Sequence, residues 1–248
     1  MSEFAPVRHH RLPGLYNFRD AGGYRTADGA VRWGKLFRSD ALHRIDDVTR
    51  QRLAELGIGH VIDLRSAMEL EAAPNALEGL TLTVHHLPVF AGGAPVSAAA
   101  SGIARVYEHI VDERGAALAD AVRTIAAAEQ DSAVLVHCTA GKDRTGLVIA
   151  LALSAVGVDR ADVVADYALT EENLRGEWAE HMVAAIRSRG IDPTPEVVAL
   201  VTASPAAVLE ATLERIEERH GSIPDYLIAH GLDRTDLDRL AEALIEDA

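Results

Sequence analysis

Apolar residues follow two rhythms along the chain: short compact runs bounded by glycine or proline, and longer stretches that return every three or four positions. The first kind predicts strands and the second helices. Residues 1–40 read as short strands and turns: "LYNF" precedes Gly22 and Gly23, and Asp28-Gly29 signals a hairpin before the strand "KLFRS". From Asp46 the rhythm turns helical, with Val48, Leu53 and Leu56 on one side and Gly57 as the stop, and "HVIDL" follows as a buried strand. Ser66 and Glu69 have the spacing of a capping box for a short helix that Pro74 ends. A strand near "TLTVHHLPV" and a Gly/Ala/Ser-rich loop over 91–102 lead into one long amphipathic helix carrying Val106, Ile110, Leu118, Val122 and Ile125. "AVLVHC" is then a buried strand, followed by a helix from near Arg144 to Gly157.

Beyond about Asp159 every signal is helical. Asp159, Thr170, Thr194, Ser204 and Thr235 have the chemistry of N-caps, Pro195 and Pro205 suit first helical positions, and Gly190 and Gly231 suit helix ends. No strand is expected there. Strands alternating with helices predict an α/β fold with a central, mostly parallel sheet flanked by helices. With no repeat and no clean linker, residues 1–248 are expected to form a single domain whose residues 159–248 make an all-helical C-terminal layer.

Composition narrows the function classes. At 48% hydrophobic and 25% charged residues, the chain excludes disorder. Its one cysteine excludes an internal disulfide, and with no apolar run near the start that suits a signal peptide, a reducing cytoplasm is the default expectation; export by a route without such a signal would leave no trace. The net charge of −14 argues against binding nucleic acid or an anionic membrane through the overall field. The apolar run from Leu147 is interrupted by Ser154 and Gly157 and falls short of the roughly 20 residues a bilayer requires, so it reads as a buried helix and no stable membrane insertion is expected.

The chemistry concentrates in "HCTAGKDRTG", residues 137–146. A strand ending at Cys138, a tight loop through Thr139, Ala140, Gly141 and Lys142, and a helix starting near Arg144 would aim backbone N–H groups and a helix N-terminus at one point. Such a field favours thiolate over thiol and makes Cys138 a nucleophile at neutral pH. Arg144, at Cys-x5-Arg spacing, suits two oxygens of a phosphoryl group, and Thr145 is expected to donate its hydroxyl toward the sulfur. Together they predict phosphomonoester cleavage through a cysteinyl-phosphate. His137 is read as supporting rather than reacting. A Walker A loop is excluded because Val136 and Asp143 stand where glycine and Ser/Thr are required, and a redox pair or zinc site lacks a second cysteine. The pairs His9-His10 and His85-His86 lack partners at ligand spacing, so no metal and no cofactor are expected.

Two aspartates are candidates for the general acid. Asp143 lies within the loop, although its position at a helix start also suits a plain cap; Asp63 follows a buried strand and alternatively pairs with Arg65. Lys142 adds a cation that suits substrates with more than one anionic group. Arg19 and Asp20 read as braces of the N-terminal turn, with Arg38 open to either a bracing or a substrate role. A phosphate-recognition module without turnover is the competing reading, and the intact set Cys138, Arg144 and Thr145 speaks against it.

The stretch from His137 to Gly146 resembles the signature of the cysteine-based protein tyrosine phosphatases. "NFRDAGGY", "LFRSDAL", "VIDLR", "HCTAGKDRTG" and "LTEEN" occur in the order seen in the bacterial PtpB-type tyrosine phosphatases, also described as atypical lipid phosphatases. The resemblance implies a phosphatase fold, phosphorylated protein or phosphoinositide as substrate, and mobile helices over the site; the stripe Leu174, Trp178, Met182 and Ile186 on a helix from Thr170 suits either such a lid or ordinary packing over the sheet. The "WPD" stretch that supplies the acid in many tyrosine phosphatases is missing.

Overall fold

The computed structural model describes residues 7–90, 102–188 and 190–247; the loop expected over 91–102 therefore lies, apart from Gly102, outside the described residues. The main sheet has five strands in the order β1-β3-β6-β4-β5: β1 (Arg19–Asp20), β3 (Leu36–Ser39), β6 (Ala133–His137), β4 (Ile58–Asp63) and β5 (Thr83–His86). All neighbours are parallel except β1, which runs antiparallel on the edge. The two-residue alternation of the pleat sends Leu36, Ile62, Val134 and Val136 into one core and Phe37, Val61, Ala133 and Leu135 into another. Both faces are therefore covered, as a parallel sheet requires.

Leu53 of α1 (Asp47–Glu55) closes one face together with Leu15 and Phe18. On the other face lie α3 (Ile103–Glu113), α4 (Gly115–Ala126), α5 (Asp143–Ala155) and α6 (Arg160–Asn173), joined by the C-terminal helices α9 (Ala206–His220), α10 (Ile223–Ala229) and α11 (Arg234–Leu244). The short helix α2 (Ala67–Ala72) and the pair α7 (Glu177–Ser188) and α8 (Pro195–Thr202) complete the described helices. Leu147 to Leu153 of α5 are buried throughout, which explains why that run is apolar on all sides. Among the described residues no single helix is long and apolar enough to cross a membrane.

Several expectations are corrected. The long helix predicted across Val106 to Ile125 is two helices broken at Arg114, whose φ is −124°; Gly115 follows because a Cβ there would stand 2.2 Å from His230. The C-terminal layer is not wholly helical: β7 (Ile245–Asp247) pairs antiparallel with β2 (Gly29–Val31), from Gly29↔Asp247 to Val31↔Ile245. Three residues are too few to show a period, so this edge pairing had no sequence signal. Thr170 lies buried inside α6 rather than capping a helix, and the lid candidate begins only at Glu177, after Gly176 turns the chain at φ +80°. Asp233, in a capping box with Asp236, and Pro205 take the cap positions expected of Thr235 and Ser204.

Buried Asp40, just past β3, holds the N-terminal segment by accepting the amides of Tyr16 (3.0 Å) and Asn17 (2.9 Å). Burial pushes its carboxyl up to about 6 despite those amides. A folded-state value above the ordinary 3.8 means the fold favours the neutral acid, so its stabilising contribution is present at low pH and is lost as pH rises from 3.8 through about 6. By neutral pH the loss is on the order of 3 kcal/mol. Asp40→Asn keeps an acceptor oxygen without the charge, so its melting temperature relative to wild type should rise between pH 4.5 and 7.5; an unchanged difference would show that Asp40 does not titrate in this window.

Candidate active site

The parallel strands β3, β6 and β4 end side by side at Ser39, His137 and Asp63, and the loop from Cys138 to Lys142 rises from the central strand. Gly141 makes the turn at φ +65°, and a Cβ there would lie 2.2 Å from the carbonyl oxygen of Ser39, so both conformation and space exclude any other residue. Gly146 serves packing instead: a Cβ would meet the Tyr167 ring at 2.9 Å, and its absence lets α6 close on α5. Cys138 is 2% exposed at the base of a cavity of about 360 Å3. Val106, Trp178, Met182, Leu200 and Val201 give this cavity an apolar wall, with Asp143 and Arg144 among its polar members. A wider cleft of about 880 Å3 beside His9 to Phe18 and the start of α7 is lined by none of the residues of the Cys138–Arg144 loop.

Arg144 meets Glu69 of α2 in a two-pronged pair, Nη1 to Oε2 at 2.7 Å and Nη2 to Oε1 at 2.8 Å. Thr139 also donates its hydroxyl to Glu69 Oε1, and the Ser66 amide donates to Oε2. Burial works against the Glu69 charge, but hydrogen bonds from Arg144, its charge and then Thr139 hold the carboxyl well below the usual range. Burial likewise opposes the Arg144 charge, yet Cys138 and Glu69 together raise its affinity for the proton above the ordinary. The fork read as suited to two phosphoryl oxygens thus has Nη1 and Nη2 on Glu69, which holds it in plane. Glu69 has a second task beside the capping box with Ser66, which the sequence reading did not assign.

Asp143 is not the cap of α5; Lys142 occupies that position. Asp143 Oδ1 instead receives the Tyr107 hydroxyl at 2.9 Å and lies 3.2 Å from Lys142 Nζ, leaving Oδ2 without a partner among the described residues. Tyr107 in turn shares a hydrogen bond of 2.7 Å with Tyr167. Desolvation, followed by the Asp143 charge, raises the pKa of both phenols, so they remain protonated donors.

Asp63 is placed differently. It is fully buried, and its carboxylate takes Arg65 Nε at 2.9 Å, Arg65 Nη2 at 2.7 Å and Asn75 Nδ2 at 3.0 Å. Burial alone would raise its pKa, but the Arg65 hydrogen bonds, then the charges of His137 and Arg65, bring it down to about 2. A carboxylate so fully engaged has no proton to give and no open face from which to give it. His137 is buried, its value lowered to about 4 mainly by desolvation despite Asp63 at 3.5 Å, and it is a neutral support beneath the loop.

Two further residues depart from expectation. Lys142 is 1% exposed, and its ammonium is spent on the carbonyls of Leu200 and Ala203, both at 2.9 Å, at the end of α8. Helix C-terminal carbonyls attract a cation, so the loop lysine fastens the end of α8 to the loop. The Thr145 hydroxyl is buried and makes no hydrogen bond, so the structure does not place it on the sulfur. Neither Tyr107 nor the tie between Lys142 and α8 left a local signal, because each joins segments far apart in sequence.

The profile of the tyrosine phosphatase family matches residues 10–246. The triple specificity protein phosphatase PtpB of Mycobacterium tuberculosis is 32% identical over 276 residues, covering 94% of this chain and 98% of that one. A tyrosine-protein phosphatase of Nostoc commune is also 32% identical, over 154 residues that cover 60% of this chain and 52% of its own. Among solved structures, P. aeruginosa TpbA shows a looser likeness, with TM-score 0.38 and 21% identity over 67% of this chain and 86% of that one. Matched almost from end to end by the family profile, with the Cys-x5-Arg loop at the carboxyl ends of its parallel strands, this chain belongs to the tyrosine phosphatase family.

Proposed function

We propose that the chain hydrolyses phosphotyrosine in proteins through a cysteinyl-phosphate. The observation that carries this reading is the lone thiol, buried in a narrow cavity with one apolar wall, at the mouth of a loop that opens directly into a helix N-terminus. The Cys138 thiolate attacks phosphorus from the base of the cavity, and the bond from phosphorus to the phenolic oxygen breaks as Asp143 delivers a proton to that oxygen. Asp143, now a carboxylate, takes a proton from water. That water attacks phosphorus, the S–P bond breaks, inorganic phosphate leaves and the thiolate is regenerated. Arg144, held in plane by Glu69, and the loop amides stabilise the charge on the equatorial oxygens in both steps. The apolar wall formed by Val106, Trp178 and Met182 suits a phenyl ring. The test is phosphate release, in the presence of a chelator, from phosphotyrosine, phosphoserine, phosphothreonine and phosphoinositide compounds. Turnover should be greatest on phosphotyrosine, and binding of phosphate analogues without release would instead support a recognition module.

Phosphoinositide hydrolysis is the narrower reading, suggested by the second cation of the loop. Because Lys142 Nζ is fastened to α8, Lys142→Met should change turnover of a phosphotyrosine peptide and of a multiply phosphorylated phosphoinositide by a similar factor. A loss confined to the phosphoinositide would mean that the ammonium leaves α8 to read a second phosphate.

A further inference from the structure

A peptide unit is planar and trans, so its C=O and N–H point in opposite directions. Fixing a carbonyl therefore aims the amide of the next residue. Three consecutive carbonyls of the loop are fixed in this way: Thr139 O accepts the Ala41 amide at 3.2 Å, Ala140 O accepts Asn17 Nδ2 at 3.0 Å, and Gly141 O accepts Asn17 Nδ2 at 3.1 Å and Arg38 Nη2 at 2.9 Å. The amides of Ala140, Gly141 and Lys142 then face away from these anchors, and none has an acceptor among the described residues.

Behind the anchors stands a buried ionic group. Asp166 of α6 takes Arg19 Nε on Oδ1 at 3.1 Å and Arg38 Nη1 on Oδ2, while Arg19 Nη2 reaches Asp166 O at 2.8 Å and Thr170 Oγ1 at 2.9 Å. Asn17 Oδ1 receives Arg19 Nη1 and, at 3.1 Å, Asn173 Nδ2, which sets the amide so that its two N–H bonds face the loop. Arg19 and Arg38 are fully buried and Asp166 nearly so. Two guanidinium groups share one carboxylate, an arrangement that pure stability does not favour. Its excess of one positive charge lies directly behind a loop whose open side is built for an anion.

We propose that Asn17 and Arg38 are positioning residues of the phosphate loop, held by Arg19 and Asp166, which turn three successive amides toward the bound phosphoryl group and place one net positive charge behind it. The proposal rests on the reading that this cavity takes a phosphoryl group. It also explains why "NFRD", "LFRS" and the end of α6 share one network although they are far apart in sequence.

The experiment measures tungstate binding by calorimetry, phosphotyrosine-peptide kinetics and melting temperature for wild type, Asn17→Ala, Arg38→Met and Arg38→Lys. Removing a donor aimed at developing charge costs about 10²–10³ in kcat, and these residues act one step removed, so tungstate affinity and kcat should each fall about tenfold in Asn17→Ala and Arg38→Met. KM should change less than kcat, and Arg38→Lys should recover part of the loss. Arg38→Met leaves Asp166 paired one-to-one with Arg19, so melting temperature should fall little. Should that variant fail to fold, the same readings on Asn17→Ala and Arg38→Lys decide. Variants that bind tungstate as wild type does while melting earlier would make the group a purely structural brace and overturn the proposal. Wild type that fails to bind tungstate would overturn both the proposal and the reading of the cavity beneath it.

Discussion

Cys138→Ser protein should release no measurable phosphate from a phosphotyrosine peptide, a loss on the order of 10⁴-fold or more, while binding tungstate about as well as wild type. The loop anchors, the Glu69–Arg144 pair and the helix N-terminus are untouched by the change, so the cradle survives; what disappears is the only thiol in the chain. A serine hydroxyl stays protonated where a thiol ionises, and no described neighbour is placed as a base for it: His137 holds the Cys138 carbonyl through Nδ1 and is turned to Asp63 on its other side. Appreciable turnover by the serine protein would remove Cys138 from the role of nucleophile. Loss of tungstate binding together with activity would mean that the sulfur also maintains the cradle.

Asp143→Asn should separate substrates by leaving group. For a poor leaving group such as an alkyl alcohol, loss of the proton donor should cost about 10²–10⁴ in kcat, and for an activated phenol that departs as the anion the cost should be small. The geometry behind this expectation is one-sided: Tyr107 and Lys142 engage Oδ1, which leaves Oδ2 as the atom free to carry the proton. Tyr107→Phe should show the same leaving-group pattern with a smaller loss, since it loosens the carboxyl without removing it. Asp63→Asn supplies the contrast. It breaks a buried pair with Arg65, so it should cost about 3–5 kcal/mol of stability and slow both kinds of substrate by similar factors. Equal slowing of both kinds by Asp143→Asn would show that this carboxylate holds the loop instead of supplying a proton.

The placement of Cys138, Arg144 and the glycine turn was legible because they lie within one short segment whose local geometry is forced: a buried strand, a left-handed Gly141, then a helix. The alternation of strands and helices carried the sheet in the same way, since apolar period reports which faces are covered. Where packing rather than period decides, sequence reading failed. The break at Arg114 exists because Gly115 abuts His230, and β7 is a strand only because β2 lies alongside. The same limit explains the functional residues. What surrounds Asp63 and Asp143 had no sequence signal: only the fold puts Arg65 and Asn75 around the first and Tyr107 beside the second. Glu69, Asn17, Arg38 and Asp166 reach the loop from α2, the N-terminal segment, β3 and α6. The sequence by itself determined the strand, the glycine turn and the helix start that bracket Cys138 and Arg144, because these are local consequences of residue type and backbone conformation. Tertiary structure alone decided how the cradle is aimed, which carboxylate keeps an open oxygen and where the loop lysine spends its charge, because hydrogen bonds and ion pairs between distant segments leave no period or spacing in a chain.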